Sequence, residues 1–132
     1  MGCHTAAGER VRTGFTLIEL LVVMAIIATL MTIVAPRYLS SVDKAAEAVL
    51  RTNLRLTRDA IDKYRADTGH YPENLQTLVS SRYLRDLPVD PITEQNDSWL
   101  LIIPPQSDSR GVYDIRSGAK GVGKNGKPYS AW

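Results

Sequence analysis

A single carboxylate stands inside the most apolar stretch of this sequence. The 21 residues from Phe15 to Ala35 contain one charged side chain, that of Glu19. Insertion of a lone carboxylate into lipid costs on the order of 2 to 3 kcal/mol or more, so Glu19 needs either interfacial water or a nearby cation. If the chain is cut between Gly14 and Phe15, the new amine of Phe15 supplies that cation in an adjacent copy. Mutual neutralisation would then favour a polymer over the monomer.

Residues that serve enzymes or metal sites are sparse elsewhere in the chain. There are two histidines, His4 and His70, and one cysteine, Cys3, and the carboxylates are scattered. These numbers disfavour a histidine metal site and a catalytic triad. The glycine-rich run 118–124 lacks the spacing of a phosphate-binding loop and the Ser or Thr that should follow its lysine. We therefore predict no catalytic residues, no metal site and no enzymatic activity.

The charge distribution gives no sign of nucleic-acid binding. The formal net charge is +2, and it arises from 16 basic and 14 acidic residues. Because the two signs are interspersed, no basic tail or stripe is present. We predict no nucleic-acid partner.

The apolar stretch 15–35 has the length of a single membrane span. As a helix its 21 residues would extend about 31 Å, close to the roughly 30 Å of a hydrocarbon core. The polar leader, residues 1–14, precedes this stretch, and no ordinary signal peptidase site follows it. Pro36 removes one backbone donor, and we interpret it as a kink in a helix that continues rather than as its end.

The sequence beyond Pro36 predicts an amphipathic helix over residues 36–67. Apolar and small side chains recur there at intervals of three and four, which is typical of a helix with one stripe packed on a soluble domain. An amphipathic helix lying on a membrane surface is disfavoured, because acidic residues such as Glu47 dilute its basic face. Gly69 can adopt the left-handed conformation that ends a helix, and Pro72 can start a short helix at about 73–81.

The last third of the chain predicts a small sheet and an irregular end. Two apolar runs, at about 98–104 and 111–117, are bounded by Pro104-Pro105 and Gly118 and indicate two strands. The C-terminal loop 118–132 contains four glycines, and we expect Tyr129 and Trp132 to pin it. The predicted fold class is α+β, with a long N-terminal helix packed on a small antiparallel sheet.

The residues around the predicted cleavage point resemble a known signal. Gly14 followed by Phe15-Thr16-Leu17-Ile18-Glu19, with Pro36 further on, resembles the leader region of the type IV pilin-like family. The resemblance implies a pilin-like fold, removal of residues 1–14 by prepilin peptidase and methylation of the Phe15 amine. It also implies that Glu19 sets the register during assembly and that the leader is cytoplasmic.

The second half of the chain resembles the major pseudopilins of type II secretion. The ordered pieces that carry this resemblance are Tyr64, Asp67, Gly69, Tyr71-Pro72, Leu87-Pro88, Asp90-Pro91, Tyr113-Asp114, Ser117-Gly118-Ala119 and Trp132. The resemblance implies a single-pass protein of the bacterial inner membrane whose domain 36–132 is periplasmic. Its implied partners are further copies in a filament, other pseudopilins, prepilin peptidase and the inner-membrane secretion platform.

One departure from this family concerns its metal. The C-terminal loop of the family is acidic and binds calcium, whereas this sequence has no Asp or Glu after Asp114 and carries Lys120, Lys124 and Lys127 instead. Calcium favours carboxylate oxygens, and nearby ammonium groups oppose its binding. We therefore expect no cofactor and no calcium site of the family type, although backbone carbonyls of the loop remain available as weak ligands.

Two alternatives to a secretion filament stay open at this point. The first is a major or minor pilin of a type IV pilus, although the cysteine pair of many such pilins is missing here. The second is a membrane-anchored periplasmic enzyme or binding domain. The scattered carboxylates and the lack of clustered His or Cys disfavour this second alternative.

Overall fold

The computed structural model describes residues 1–2, 13–105 and 110–132. The chain forms two compact units, an N-terminal unit (residues 1–39) and a C-terminal unit (residues 40–132). The elements confirm the predicted α+β class. They are helix α1 (Leu17–Thr68), helix α2 (Leu75–Ser80), strand β1 (Leu100–Ile102), strand β2 (Asp114–Arg116) and a 3-10 helix (Tyr129–Ala131).

Helix α1 begins two residues after Phe15, the predicted start of the span. The backbone N–H of Glu19 donates to Thr16 Oγ1 at 3.2 Å, as expected for a helix N-cap. Thr16 and Glu19 also have the spacing of a capping box, and a carboxylate in the first turn is stabilised by the helix dipole. The position of this cap explains the later start.

In the N-terminal unit, α1 is apolar on all sides. Its large apolar side chains between Leu17 and Val34 are 44% to 80% exposed, and the helix is long and apolar enough to cross a membrane. The hydroxyl of Thr29 donates to the carbonyl of Ala25 at 2.8 Å, which satisfies that polar group inside the helix. The helix continues through Pro36. The predicted kink at that residue stays a prediction.

In the C-terminal unit, one stripe of α1 forms the centre of the core. Leu50, Leu54 and Ile61 are at most 2% exposed, and their spacing of four and seven places them on one face of the helix. The helix ends at Thr68, where Gly69 has a φ of +81° and donates to a backbone carbonyl in the last turn, as predicted. Buried side chains from the rest of the unit surround this stripe, namely Tyr71, Leu75, Leu78, Trp99, Val112 and Ile115.

Helix α2 is shorter than its predicted range of about 73–81. Asn74 is extended and its side chain accepts a hydrogen bond from the backbone of Thr77 at 2.9 Å, so Asn74 rather than Pro72 sets the first turn. Leu75 and Leu78 of α2 are buried against α1 and its neighbours. Their three-residue spacing places both side chains on the face of this short helix that packs on the core.

The sheet consists of two antiparallel strands with Leu101 paired to Ile115. Both strands have three residues and are shorter than the predicted ranges 98–104 and 111–117. On one side Pro104 has no N–H with which to extend the ladder. On the other side Gly111 has a φ of +120°, which is not a strand conformation. Ile115 is fully buried and packs the sheet against the core.

Candidate functional site

The predicted cleavage point lies outside the helix. Gly14 and Phe15 are exposed, with Phe15 89% exposed and no atom of the described residues near enough to contact a Cβ placed on Gly14. Exposed segments outside regular structure are the preferred sites of proteolytic cleavage. Most of the predicted leader, residues 3–12, lies outside the described residues.

Glu19 lies in the first turn of α1, where its side chain is exposed. Among the described residues, an ion pair forms between Arg58 and Asp114. Glu19 forms no ion pair with any described residue. The described part of the chain therefore provides no cation to pair with this carboxylate in its apolar surroundings. The geometry agrees with a requirement for a cation from elsewhere.

A second polar centre joins α1 to residues 118–132, here called the C-terminal segment. Glu47 is 8% exposed, and its Oε1 accepts hydrogen bonds from the backbone N–H of Lys124 at 2.9 Å and from the hydroxyl of Tyr129 at 3.1 Å. Lys124 Nζ donates to the carbonyl of Ser40 at 2.6 Å and to its hydroxyl at 2.9 Å. These four residues are called the Glu47 clasp below.

The clasp places a carboxylate beside a partly buried phenol. Burial raises the pKa of Tyr129 above its ordinary value of 10.0, and the hydrogen bond and charge of Glu47 raise it further. The neutral phenol is therefore favoured in the folded unit. Its contribution to stability is complete below pH 10 and is lost as the pH rises through the folded pKa.

Arg58 makes a second connection between α1 and the end of the chain. Its Nε donates to Asp114 Oδ1 at 2.6 Å, and its Nη2 donates to the carbonyls of Ile115 at 2.8 Å and Trp132 at 3.0 Å. The guanidinium of Arg51 lies 4.3 Å from the ring centroid of Trp132. The end of the chain is thus held by hydrogen bonds and by a cation–π contact.

Asp90 is a fully buried carboxylate that the sequence had indicated only as part of a turn. Its Oδ1 accepts from the backbone of Ile92 at 2.8 Å, and its Oδ2 accepts from the hydroxyl of Ser117. The acceptor positions of Asp90 are used by the protein itself, and the site is structural. Its buried carboxylate is partnered by Ser117, which is 27 residues away in the sequence, so no local pattern around Asp90 indicates this contact.

The described residues contain no group of three or more His, Cys, Asp or Glu side chains that could hold a metal ion. The site residues predicted from the sequence form no catalytic constellation in this part of the chain, because Gly14, Phe15 and Glu19 lie along one exposed stretch. Sequence reasoning did not identify Glu47 or Arg58. Each forms hydrogen bonds with partners more than 50 residues away in the sequence, and no short motif predicts such contacts.

Comparison with known proteins gives a consistent set of matches. Residues 10–35 match the family model of the prokaryotic N-terminal methylation motif. The chain is 34% identical to the type II secretion system core protein G of Pseudomonas aeruginosa, over 90% of this chain and 88% of that protein. It is 29% identical to the protein of that name in Escherichia coli (strain K12), over 79% of each chain, and 28% identical to that of Klebsiella pneumoniae, over 90% and 93%. No solved structure matches the chain significantly.

We predict that Glu47→Gln lowers the pKa of Tyr129 toward its ordinary value of 10.0, because the variant removes the charge of Glu47 and leaves the burial of the phenol and the smaller effects of Asp43 and Asp90. The titration is followed by phenolate absorbance, and the contribution of Tyr129 is isolated by subtracting the same curve for Tyr129→Phe in each background. Glu94→Gln, which removes an exposed carboxylate in another loop, is the matched control and should leave the titration of Tyr129 unchanged. Identical Tyr129 titrations in Glu47→Gln and the parent would contradict the clasp.

Proposed function

Because this chain belongs to the family of type II secretion system core protein G, we propose that it is a pseudopilin, a structural subunit of the secretion filament. The observation that carries this function is the N-terminal unit, where α1 exposes apolar side chains in every direction. Water is a poor solvent for such a helix. Lipid covers it before assembly, and the helices of other copies cover it in a filament.

Processing is the step that makes the subunit competent for assembly. The exposed bond between Gly14 and Phe15 is the proposed cut of prepilin peptidase, and the new Phe15 amine is the proposed methylation site. Removal of the leader places a positive charge four residues before Glu19. Attraction between that amine and the Glu19 of a neighbouring copy offsets the cost of a carboxylate in lipid.

The proposed location is the bacterial inner membrane, crossed once. The leader lies in the cytoplasm and residues 36–132 lie in the periplasm, where the filament grows. The proposed partners are further copies of this chain, other pseudopilins, prepilin peptidase and the inner-membrane secretion platform. The subunit itself is not an enzyme in this proposal, since its described polar centres are occupied by internal hydrogen bonds.

We also propose that the C-terminal unit folds without calcium. The carboxylate that contacts the C-terminal segment in the clasp is that of Glu47, and its Oε1 already accepts two hydrogen bonds from Lys124 and Tyr129. The ammonium of Lys124 donates to the carbonyl and the hydroxyl of Ser40. These donors repel a divalent cation and leave it few carboxylate oxygens, so the residues present do not fit the calcium site of the family.

We predict that Glu19→Ala and Glu19→Gln both lose filament assembly, with cross-linked multimers reduced by about tenfold or more in membranes of a host with prepilin peptidase. Glutamine keeps the size and hydrogen bonding of the side chain but not its charge, so it separates charge pairing from helix capping. Glu73→Gln, which changes an exposed carboxylate in the C-terminal unit, is the control and should assemble normally. Normal multimers in Glu19→Gln would contradict the proposed role of the charge.

We predict that calcium does not stabilise the full chain. A ligand at 100 times its Kd stabilises a fold by about 2.7 kcal/mol, so a micromolar site would raise the unfolding temperature clearly in millimolar calcium. The unfolding temperature of the full chain in detergent should be equal in calcium and in EDTA. Lys124→Met should lower it by the same amount in both solutions, because the lost bonds to Ser40 involve no metal. Calorimetric titration showing micromolar calcium binding would overturn this proposal.

A further inference from the structure

Two loops of the C-terminal unit have opposite charge. Residues 86–97, here called the acidic segment, contain three Asp and one Glu and no Lys or Arg. The C-terminal segment, 118–132, contains three Lys and no Asp or Glu. In the acidic segment Asp90 is buried, whereas Asp86, Glu94 and Asp97 are exposed. The C-terminal unit therefore presents one acidic loop and one basic loop.

These loops attach to different sides of α1. The acidic segment is held by Asn53, whose Nδ2 donates to the carbonyl of Val89 at 2.8 Å. The C-terminal segment is held by Glu47 through the clasp. Because Glu47 and Asn53 are six residues apart, the two attachment points are about 120° apart around the helix. The buried stripe of α1 lies between them on the inner side.

An exposed apolar row lies on the outer side of α1. Val42, Val49 and Leu56 are 48%, 49% and 56% exposed, and their seven-residue spacing places them along one face. Viewed down the helix axis, Val49 lies about 40° from Asn53. Arg55 lies about 120° beyond Val49 in the same direction, and so farther from Asn53. The outer surface of α1 therefore passes from the acidic segment, across the apolar row, to a basic side.

The basic side is a groove between α1 and the C-terminal segment. It is lined by Arg51, Arg55, Arg58 and Lys127, together with Trp132 and one carboxylate, Asp59. Arg58 is paired with Asp114, and Arg51 stacks on Trp132. In the described part of the chain, the side chains of Arg55 and Lys127 have no recorded hydrogen bond or ion pair, and both are exposed. Even with Asp59 present, the groove carries excess positive charge.

We propose that the acidic segment of one copy docks on the basic groove of the next copy, which covers the apolar row between them. The partner is a second copy because one chain carries both complementary surfaces. Two different patches of one chain make a heterologous contact, which propagates along a series of copies instead of closing as a symmetric dimer. Charge complementarity orients the copies, and the apolar row supplies burial. This inference rests on the proposed filament function and names the surfaces that the C-terminal unit uses.

The test is site-specific cross-linking between two copies of the full chain in membranes of a host with prepilin peptidase and the secretion platform. Cys3→Ser is present throughout. One tagged copy carries Arg55→Cys and a differently tagged copy carries Glu94→Cys, and a short bismaleimide joins them. We expect mixed Arg55→Cys and Glu94→Cys dimers to exceed same-site dimers by about tenfold. Glu73→Cys in place of Glu94→Cys is the matched control and should give few mixed dimers.

A charge reversal adds an independent measurement. Arg55→Glu with Lys127→Glu should reduce cross-linking between native copies, because each acidic segment then meets an acidic groove. Adding Glu94→Lys and Asp97→Lys to the same chain should restore it. Failure of this restoration would overturn the proposal.

Ala28→Cys, in the apolar half of α1, separates this proposal from the filament function. If Ala28→Cys multimers form while mixed Arg55→Cys and Glu94→Cys dimers do not, the docking proposal is wrong and the filament function stands. The docking proposal would also be overturned if same-site dimers predominated, or if Arg55→Cys cross-linked only to a different acidic protein and not to Glu94→Cys. If Ala28→Cys multimers are missing as well, both proposals are wrong.

Discussion

The C-terminal unit depends on the burial of one stripe of α1. Its other elements are a helix of 6 residues and two strands of 3 residues, none of which is stable alone in water. Each acquires its position by placing side chains such as Leu78 and Ile115 against Leu50, Leu54 and Ile61. Before Pro36 the same helix is apolar apart from Glu19 and two threonines, so a single element serves a membrane or filament environment in one half and a small aqueous core in the other.

The polar contacts around this core hold the end of the chain in place. The Glu47 clasp and Arg58 tie the C-terminal segment to α1 at separate points, and both use carbonyl, hydroxyl or amide groups from residues far along the sequence. Gly123 allows the ring of Trp132 to approach, since a Cβ there would lie 2.4 Å from the indole. A segment rich in glycine and lysine is thereby ordered by the protein's own side chains, which is why we propose that it needs no metal.

Local patterns were enough to predict the general architecture. The apolar run after Phe15, the three- and four-residue spacing beyond Pro36 and the helix end at Gly69 each follow from short-range backbone and solvation rules. The lengths of α2 and the strands were overestimated, and for α2 and β2 the structure shows features before their starts: Asn74 caps α2 at a later residue than predicted, and Gly111, which has a positive φ, precedes β2. The burial of Glu47 and Asp90 was not predicted. Both look like ordinary surface carboxylates until partners 77 and 27 residues away are placed beside them.

The central claim is that removal of the leader creates the charge that Glu19 requires, and so converts a membrane protein into a filament subunit. Accurate mass measurement of the protein purified from a host with prepilin peptidase tests this claim directly. The account predicts the mass of residues Phe15 to Trp132 plus one methyl group. A mature protein that retains residues 1–14 in a host whose peptidase is active would contradict it.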